Sequence, residues 1–185
     1  MSSAQTPPTA KEILRFWFEK AGPKAWFKKS EEFDELCRER FLPTFEAAAA
    51  GECWSWRKTP EGRCAEIIVL DQLSRNLFRD DAQAYAQDGM ALVLAQEAVA
   101  CGDDQRMHAD QRYFSYMPYM HSESLAVHEE ALRLFEALGN ADALRYEKAH
   151  YEVIQQFDRY PSRNAVLGRQ STSEELRYLK SNPGF

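Results

Sequence analysis

The sequence predicts an all-α domain, and three observations carry that prediction. Apolar residues recur at helical spacing along most of the chain. Only 8 glycines and 8 prolines interrupt 185 residues, while alanine, leucine and glutamate dominate the middle, and all three favour helix. Nowhere do β-branched residues alternate with polar ones over the length of a strand. A chain of this length lies within the roughly 50–250 residues of one domain. It can bury roughly 70% of its unfolded surface, so its core needs neither metal nor disulfide. The expected organisation is one helical domain over residues 1–185, with residues 1–8 as a flexible N-terminal tail.

The elements follow in order. Thr9 and Glu12 form a capping box at the head of an apolar run through Phe16, Trp17 and Phe18, which stops before Gly22-Pro23. Ser30 caps a second helix carrying Phe33, Leu36, Cys37, Phe41 and Phe45; Pro43 is expected to break or kink it near Phe41, and Gly51 ends it. Thr59-Pro60 starts a third, with proline at the first helical position, whose apolar stretch through Ile67, Ile68 and Leu70 turns polar at Asp71, Gln72, Arg75 and Asn76. Asp80 or Asp81 opens an alanine-rich stretch to Cys101, broken near Gln87-Asp88-Gly89, and residues 103–120 read as less regular. Ser122 caps a helix bearing Leu125, Leu132, Phe135 and Leu138, and Gly139-Asn140 stops it and starts the next. That next helix runs from about Ala141 to Arg159, where Pro161 halts it, and Thr172 with Glu175 begins a short last helix ending before Pro183. The hairpin around Gly139-Asn140 spans roughly 34 residues and ends in proline, the size and shape of a tetratricopeptide-type unit.

Charge and cysteine content narrow the function. A net charge of −6 sets the chain as a whole against nucleic acid and anionic membrane. Residues 156–170 reverse that balance locally, with Arg159, Arg163 and Arg169 against Asp158 alone. A patch of that size suits a small anion or an acidic peptide terminus. Cys37, Cys53, Cys64 and Cys101 lack a paired spacing and read as reduced core thiols of a cytoplasmic protein. The N-terminus has no secretory signal, and no run approaches a transmembrane span. No phosphate loop, nucleophile elbow or zinc motif is present, and the four histidines form no ligand set, so neither cofactor nor metal is expected. Trp54 and Trp56 are open to two readings, a dimer contact or half-buried packing.

Four constellations could carry chemistry. Asp71 and Arg75 are i,i+4 on one face, at the end of so apolar a helix that the pair should be partly buried. His121 precedes a helix start with Glu123 in its first turn, a position the helix dipole favours without any functional cause. His150 falls on a stripe with Tyr146, Ile154 and Phe157 and points inward, where a histidine is more often a hydrogen-bonded core residue. Arg163, Asn164 and Arg169 follow the helix end at Pro161 around an apolar Val166-Leu167 anchor, and the two arginines can converge on one anion.

The segments VLDQLSRN (69–76), YMPYMHSE (116–123) and FDRYPSRNAVLGR (157–169) carry a family resemblance, supported by TSEEL (172–176) and FWF (16–18). Together they resemble the bacterial domain of unknown function 924. The resemblance spans nearly the whole chain and implies a right-handed α-α superhelix resembling tetratricopeptide repeats. It implies no activity. The family usually has glycine where this chain has Asp158, so the helix end and the direction of Arg159 are expected to differ here.

Three readings of function follow. In the first, a binding module, Asp71, Arg75, Asn76, His121, His150, Arg159, Arg163, Asn164 and Arg169 line a concave pocket for a small anion or acidic peptide. In the second, an enzyme acts on an anionic small molecule, with His121 or His150 as acid–base and Glu123 or Asp71 orienting it. In the third, the same groups pair with one another as a staple between the C-terminal helices. Full pairing of the arginines to Asp71 and Glu123 favours that staple.

Overall fold

Thr9 starts the first helix as expected: its side chain accepts from the Glu12 amide, and its own amide donates to the Glu12 carboxylate at 2.7 Å. The computed structural model describes residues 8–182 and 184, so the expected tail, apart from Pro8, and Pro183 lie outside the described residues. Ten α-helices and several short 3-10 and π-helical turns make up the described residues, with no strand among them. Helix α1 (Ala10–Leu14) continues as a π-helical stretch (Arg15–Ala21), and Gly22, at φ 63°, turns the chain into α2 (Pro23–Trp26). Helix α3 (Glu31–Ala49) runs through Pro43 without interruption, correcting the expected break. Proline removes one hydrogen bond there, but Phe41, Thr44, Phe45 and Ala48 are all buried around it and hold the helix by packing.

The centre of the molecule is one continuous helix in three stretches: α4 (Pro60–Ile67), a π-helical stretch (Ile68–Leu73) and α5 (Ser74–Leu77). Every residue from 64 to 74 is buried. A helix buried on all sides belongs to the core, and α1, α3, α6 (Asp88–Ala100) and α7 (Ala109–Met120) pack around this one. Helix α7 corrects the expectation of irregular structure over 103–120: Pro118 sits in its last turn, and Phe114, Tyr116 and Tyr119 are buried. Around Phe114, the rings of Trp17, Phe18 and Trp26 meet edge-on at 4.7–5.7 Å, the geometry aromatic quadrupoles favour.

Helix α8 (Leu125–Leu138) packs on α7, and α9 (Ala141–Phe157) packs on α8. Gly139 (φ 74°) and the Asn140 cap, which accepts from Ala143, make the tight hairpin as read from the sequence. The cap of α8 is Ser124, not Ser122; the Ser122 hydroxyl instead accepts from the Ser124 amide, which closes the turn just after His121. Tyr146 departs from the expected inward stripe and is 47% exposed, while His150 and Ile154 are buried. Helix α10 (Ser173–Ser181) has the expected Thr172–Glu175 capping box. Cys37, Cys53 and Cys64 are buried free thiols, whereas Cys101 is exposed, against expectation. Trp54 is exposed, with the Lys58 ammonium 5.7 Å from its ring centre. No helix among the described residues is long and apolar enough to cross a membrane.

Asp158 ends α9 at φ 56°, ψ 12°, in the left-handed region. An L side chain there is strained by roughly 1–2 kcal/mol, somewhat less for aspartate, and glycine avoids the strain. Asp158→Gly is therefore expected to stabilise the fold by about 1 kcal/mol, raising the melting temperature by about 2–4 °C in a domain of this size. An unchanged or lower melting temperature in a thermal scan would contradict this.

Candidate functional site

Asp71 and Gln72 lie within the π-helical stretch of the central helix, and both are buried. Asp71 Oδ1 lies 2.6 Å from His121 Nδ1, at the end of α7, and 3.4 Å from Arg75 Nη1, while the Gln72 amide donates to Oδ2 at 2.5 Å. Burial alone would raise the Asp71 carboxyl; the His121 ring, Arg75 and Gln72 outweigh it and hold the group ionised, well below the usual carboxylate range. Burial, with Arg75 adding to it, lowers the His121 imidazole against the opposing pull of Asp71. The consistent state is a neutral imidazole whose Nδ1–H donates to Asp71, leaving a lone pair on Nε2. Nε2 makes no hydrogen bond among the described residues, and the His121 side chain is 11% exposed.

A second carboxylate completes the cluster. Asp88, the first residue of α6, takes both Arg75 Nη atoms at 3.0 Å in a two-point pair. Arg163 reaches the same group from the C-terminal side, with Nη1 3.5 Å from Asp88 Oδ2 and 3.1 Å from the His121 carbonyl oxygen. Its guanidinium lies 4.4 Å from the Tyr160 ring centre and 4.8 Å from that of Tyr85, close enough for cation–π attraction. The Arg163 side chain is only 12% exposed, and burial followed by Arg75 lowers its basicity. Its Nε and Nη2 make no hydrogen bond among the described residues. With His121 neutral, two arginines balance two aspartates.

His150 and His128 belong to a layer beneath. The His150 Nδ1 lies 2.8 Å from the Tyr146 carbonyl, so it carries the proton, and the ring meets Tyr160 edge-on at 5.7 Å. Burial pushes the imidazole down to about 3, so it is neutral in the fold. His128 is fully buried against Glu147, with Nδ1 to Oε1 at 2.6 Å, and its Nε2 faces the Ser122 carbonyl at 2.9 Å. A carbonyl only accepts, so Nε2 carries the proton. The Tyr160 hydroxyl lies 3.1 Å from that nitrogen and donates to the Met120 carbonyl at 2.5 Å. Thus His128, Glu147 and Tyr160 hold the backbone on both sides of His121.

Other residues of the expected pocket are drawn elsewhere. Glu123 accepts both Arg169 Nη atoms (2.6 and 2.9 Å) and the Tyr160 amide (2.7 Å), so Arg163 and Arg169 part instead of converging. Arg159 is engaged twice by Glu175, at 2.6 and 2.8 Å, and the pair ties α10 to the end of α9. Arg159, ahead of the Thr172 amide, brings the Glu175 carboxyl down to about 2. Asn76 turns to Asp34, joining Arg79 in a separate buried cluster on α3. Asn164 is buried and donates to Ser171 Oγ, bracing the 161–171 loop. Among the expected pocket residues, Asp71, Arg75, His121 and Arg163 form one cluster, with His150 close below; Glu123, Arg159 and Arg169 form the staple, with Asn164 beside Glu175, and Asn76 stands apart.

Residues 13–183 match the bacterial protein of unknown function family DUF924. The chain belongs to that family. It is similar to a solved structure of a protein of unknown function, ATU0120 from Agrobacterium tumefaciens, at 38% identity and a TM-score of 0.89, over 94% of this chain and 97% of that one. No curated protein matches it.

Asp88 and Tyr85 of the cluster, and Glu147 of the layer beneath it, were missed in sequence. Asp88 stood at an expected helix break, and a helix-start aspartate is ordinary enough to hide a role. Tyr85 lies in a short 3-10 turn (Ala82–Tyr85) within an alanine-rich stretch that carries no motif. A signal for Glu147 did exist: three residues before His150, on the same helix, it shares that residue's inward face.

Proposed function

We propose that this chain binds a small carboxylate or phosphate anion against Arg163 and His121. The carrying observation is Arg163: a largely buried guanidinium flanked by Tyr85 and Tyr160, with Nε and Nη2 not hydrogen-bonded among the described residues. Arginine in that state offers one planar edge to a carboxylate or phosphate. A small ligand fits better than an acidic peptide, because Arg159 and Arg169, which an extended groove would need, are occupied by Glu175 and Glu123. The test is a thermal-shift screen with carboxylates and inorganic phosphate. At least one anion is expected to raise the melting temperature, and Arg163→Ala to abolish that rise; no rise with any anion overturns the proposal.

The Asp71–His121 pair favours a second reading, an enzyme using His121 Nε2 as general base. A buried carboxylate that fixes the tautomer and orientation of an imidazole is the arrangement such a base needs. On this reading His121→Asn removes turnover of an anionic substrate while leaving the melting temperature close to wild type. Turnover that survives the substitution excludes it.

A further inference from the structure

We infer that the site takes up its anion together with one proton, which His121 Nε2 carries. The inference rests on the anion reading above and follows from counting charge. His121 faces Asp71 and Arg75 from the central helix and Asp88 from α6. Its backbone carbonyl holds Arg163, which leans on Tyr160 and on Tyr85 of the preceding 3-10 turn. Glu123, two residues on, is committed to Arg169, and His150 lies beneath on α9. The central four ionised groups already cancel. An anion added to this buried, balanced set leaves one negative charge uncompensated, which a poorly solvated site does not tolerate.

Few groups there can supply the missing positive charge near neutral pH. The arginines are already charged, and the tyrosines are neutral and cannot become cationic. Protonating Asp71 would mean breaking its contacts to His121, Arg75 and Gln72. His150 is buried with its Nδ1–H on the Tyr146 carbonyl, and its protonated form would sit beside Arg163. What sets His121 apart is the carboxylate of Asp71 on its Nδ1 side, which can balance a second proton on Nε2. Protonated, it donates from Nδ1 to Asp71 and from Nε2 to the ligand. The ligand class is therefore a weak organic acid, taken up in effect as the acid and held as the ion pair of its anion with the imidazolium. A neutral amide of the same shape gains nothing from this proton.

Acetate is a suitable probe, because its own carboxyl does not titrate near neutrality. The experiment is an NMR titration of the full chain at pH 7, following the four histidine side chains and the Arg163 Nε–H, with His121→Gln used to assign the His121 signals. On saturation the His121 ring nitrogens should move to imidazolium values while His128 and His150 keep their tautomers. The acetate Kd should rise by about tenfold per pH unit between the pKa of His121 in the free protein and its higher pKa in the complex, and level off above the latter. If Arg163 Nε–H shifts saturably while His121 stays neutral and Kd is flat with pH, the inference is overturned and the anion reading stands. A change in His150 or His128 in place of His121 also overturns it. If neither Arg163 nor His121 responds to acetate, both this inference and binding of simple carboxylates at the site fail.

Discussion

Glu147→Ala is expected to destabilise the chain by about 3–5 kcal/mol, the usual loss when one partner of a buried polar pair is removed. Domains of this kind have roughly 5–15 kcal/mol in total, so the loss is a large part of the whole. Both side chains of the His128–Glu147 pair are fully buried. Truncation leaves His128 Nδ1 without the Glu147 carboxyl it is hydrogen-bonded to and opens a void between α8 and α9, and each contributes to the cost. Burial raises the Glu147 carboxyl, and its Oε2 is buried without a hydrogen-bond partner among the described residues. Glu147→Gln should cost less than half as much, because a glutamine amide can donate to Nδ1 while Nε2 keeps its bond to Ser122. Urea unfolding measures both: the alanine variant should shift the midpoint strongly at an unchanged slope. A loss below about 1 kcal/mol for Glu147→Ala would mean that the pair does not tie the hairpin to the His121 turn.

The second large effect is on acid stability, through His150. In the unfolded chain the imidazole protonates near its ordinary 6.5; in the fold it stays neutral until about pH 3. Between those values the unfolded state binds the extra proton. Stability from His150 is therefore fully present above about pH 6.5, falls by about 1.4 kcal/mol per pH unit below it, and levels off near the folded value. Asp71 and Glu175 act at lower pH. Their folded carboxyls are depressed to about 2, so their contributions are present above the ordinary 3.8 and 4.5 and are lost as pH falls toward 2. Between pH 6.5 and 4.5 the depressed histidines His150 and His121 work against Glu147, whose raised carboxyl takes its proton at higher pH in the fold than in the unfolded chain. His150→Gln, which can still donate to the Tyr146 carbonyl, should be less stable at pH 7.5 and lose stability more slowly through that window. Parallel pH profiles for wild type and variant would exclude a buried neutral His150.

How legible this was depended on whether the physics was local. The capping boxes at Thr9 and Thr172, the Thr59-Pro60 start and the Gly139-Asn140 hairpin were all readable, because each is fixed by residues within four positions of one another. Pro43 misled because packing of Phe41 and Phe45 outweighs a lost backbone bond, and packing is not local. The burial of Asp71 followed from the apolar run before it. Its partner did not, because His121 lies 50 positions away and the π-helical stretch that carries Asp71 has no sequence signature. The arginine run was conspicuous, yet its members serve different ends: Arg159 and Arg169 each make a two-point pair with a glutamate, whereas Arg163 only reaches the edge of Asp88 at 3.5 Å. Spacing cannot separate these roles; only the positions of Glu123, Glu175 and Asp88 can.

Anion binding at this site depends on Arg163, and isothermal titration of wild type, Arg163→Ala and Arg163→Lys with acetate and inorganic phosphate is the decisive test. The prediction is saturable one-site binding in wild type and none in Arg163→Ala. Arg163→Lys should restore it poorly, because a lysine ammonium lacks the planar edge and the stacking on Tyr85 and Tyr160. Binding of equal affinity in wild type and Arg163→Ala, or no binding of either anion to wild type, would contradict it.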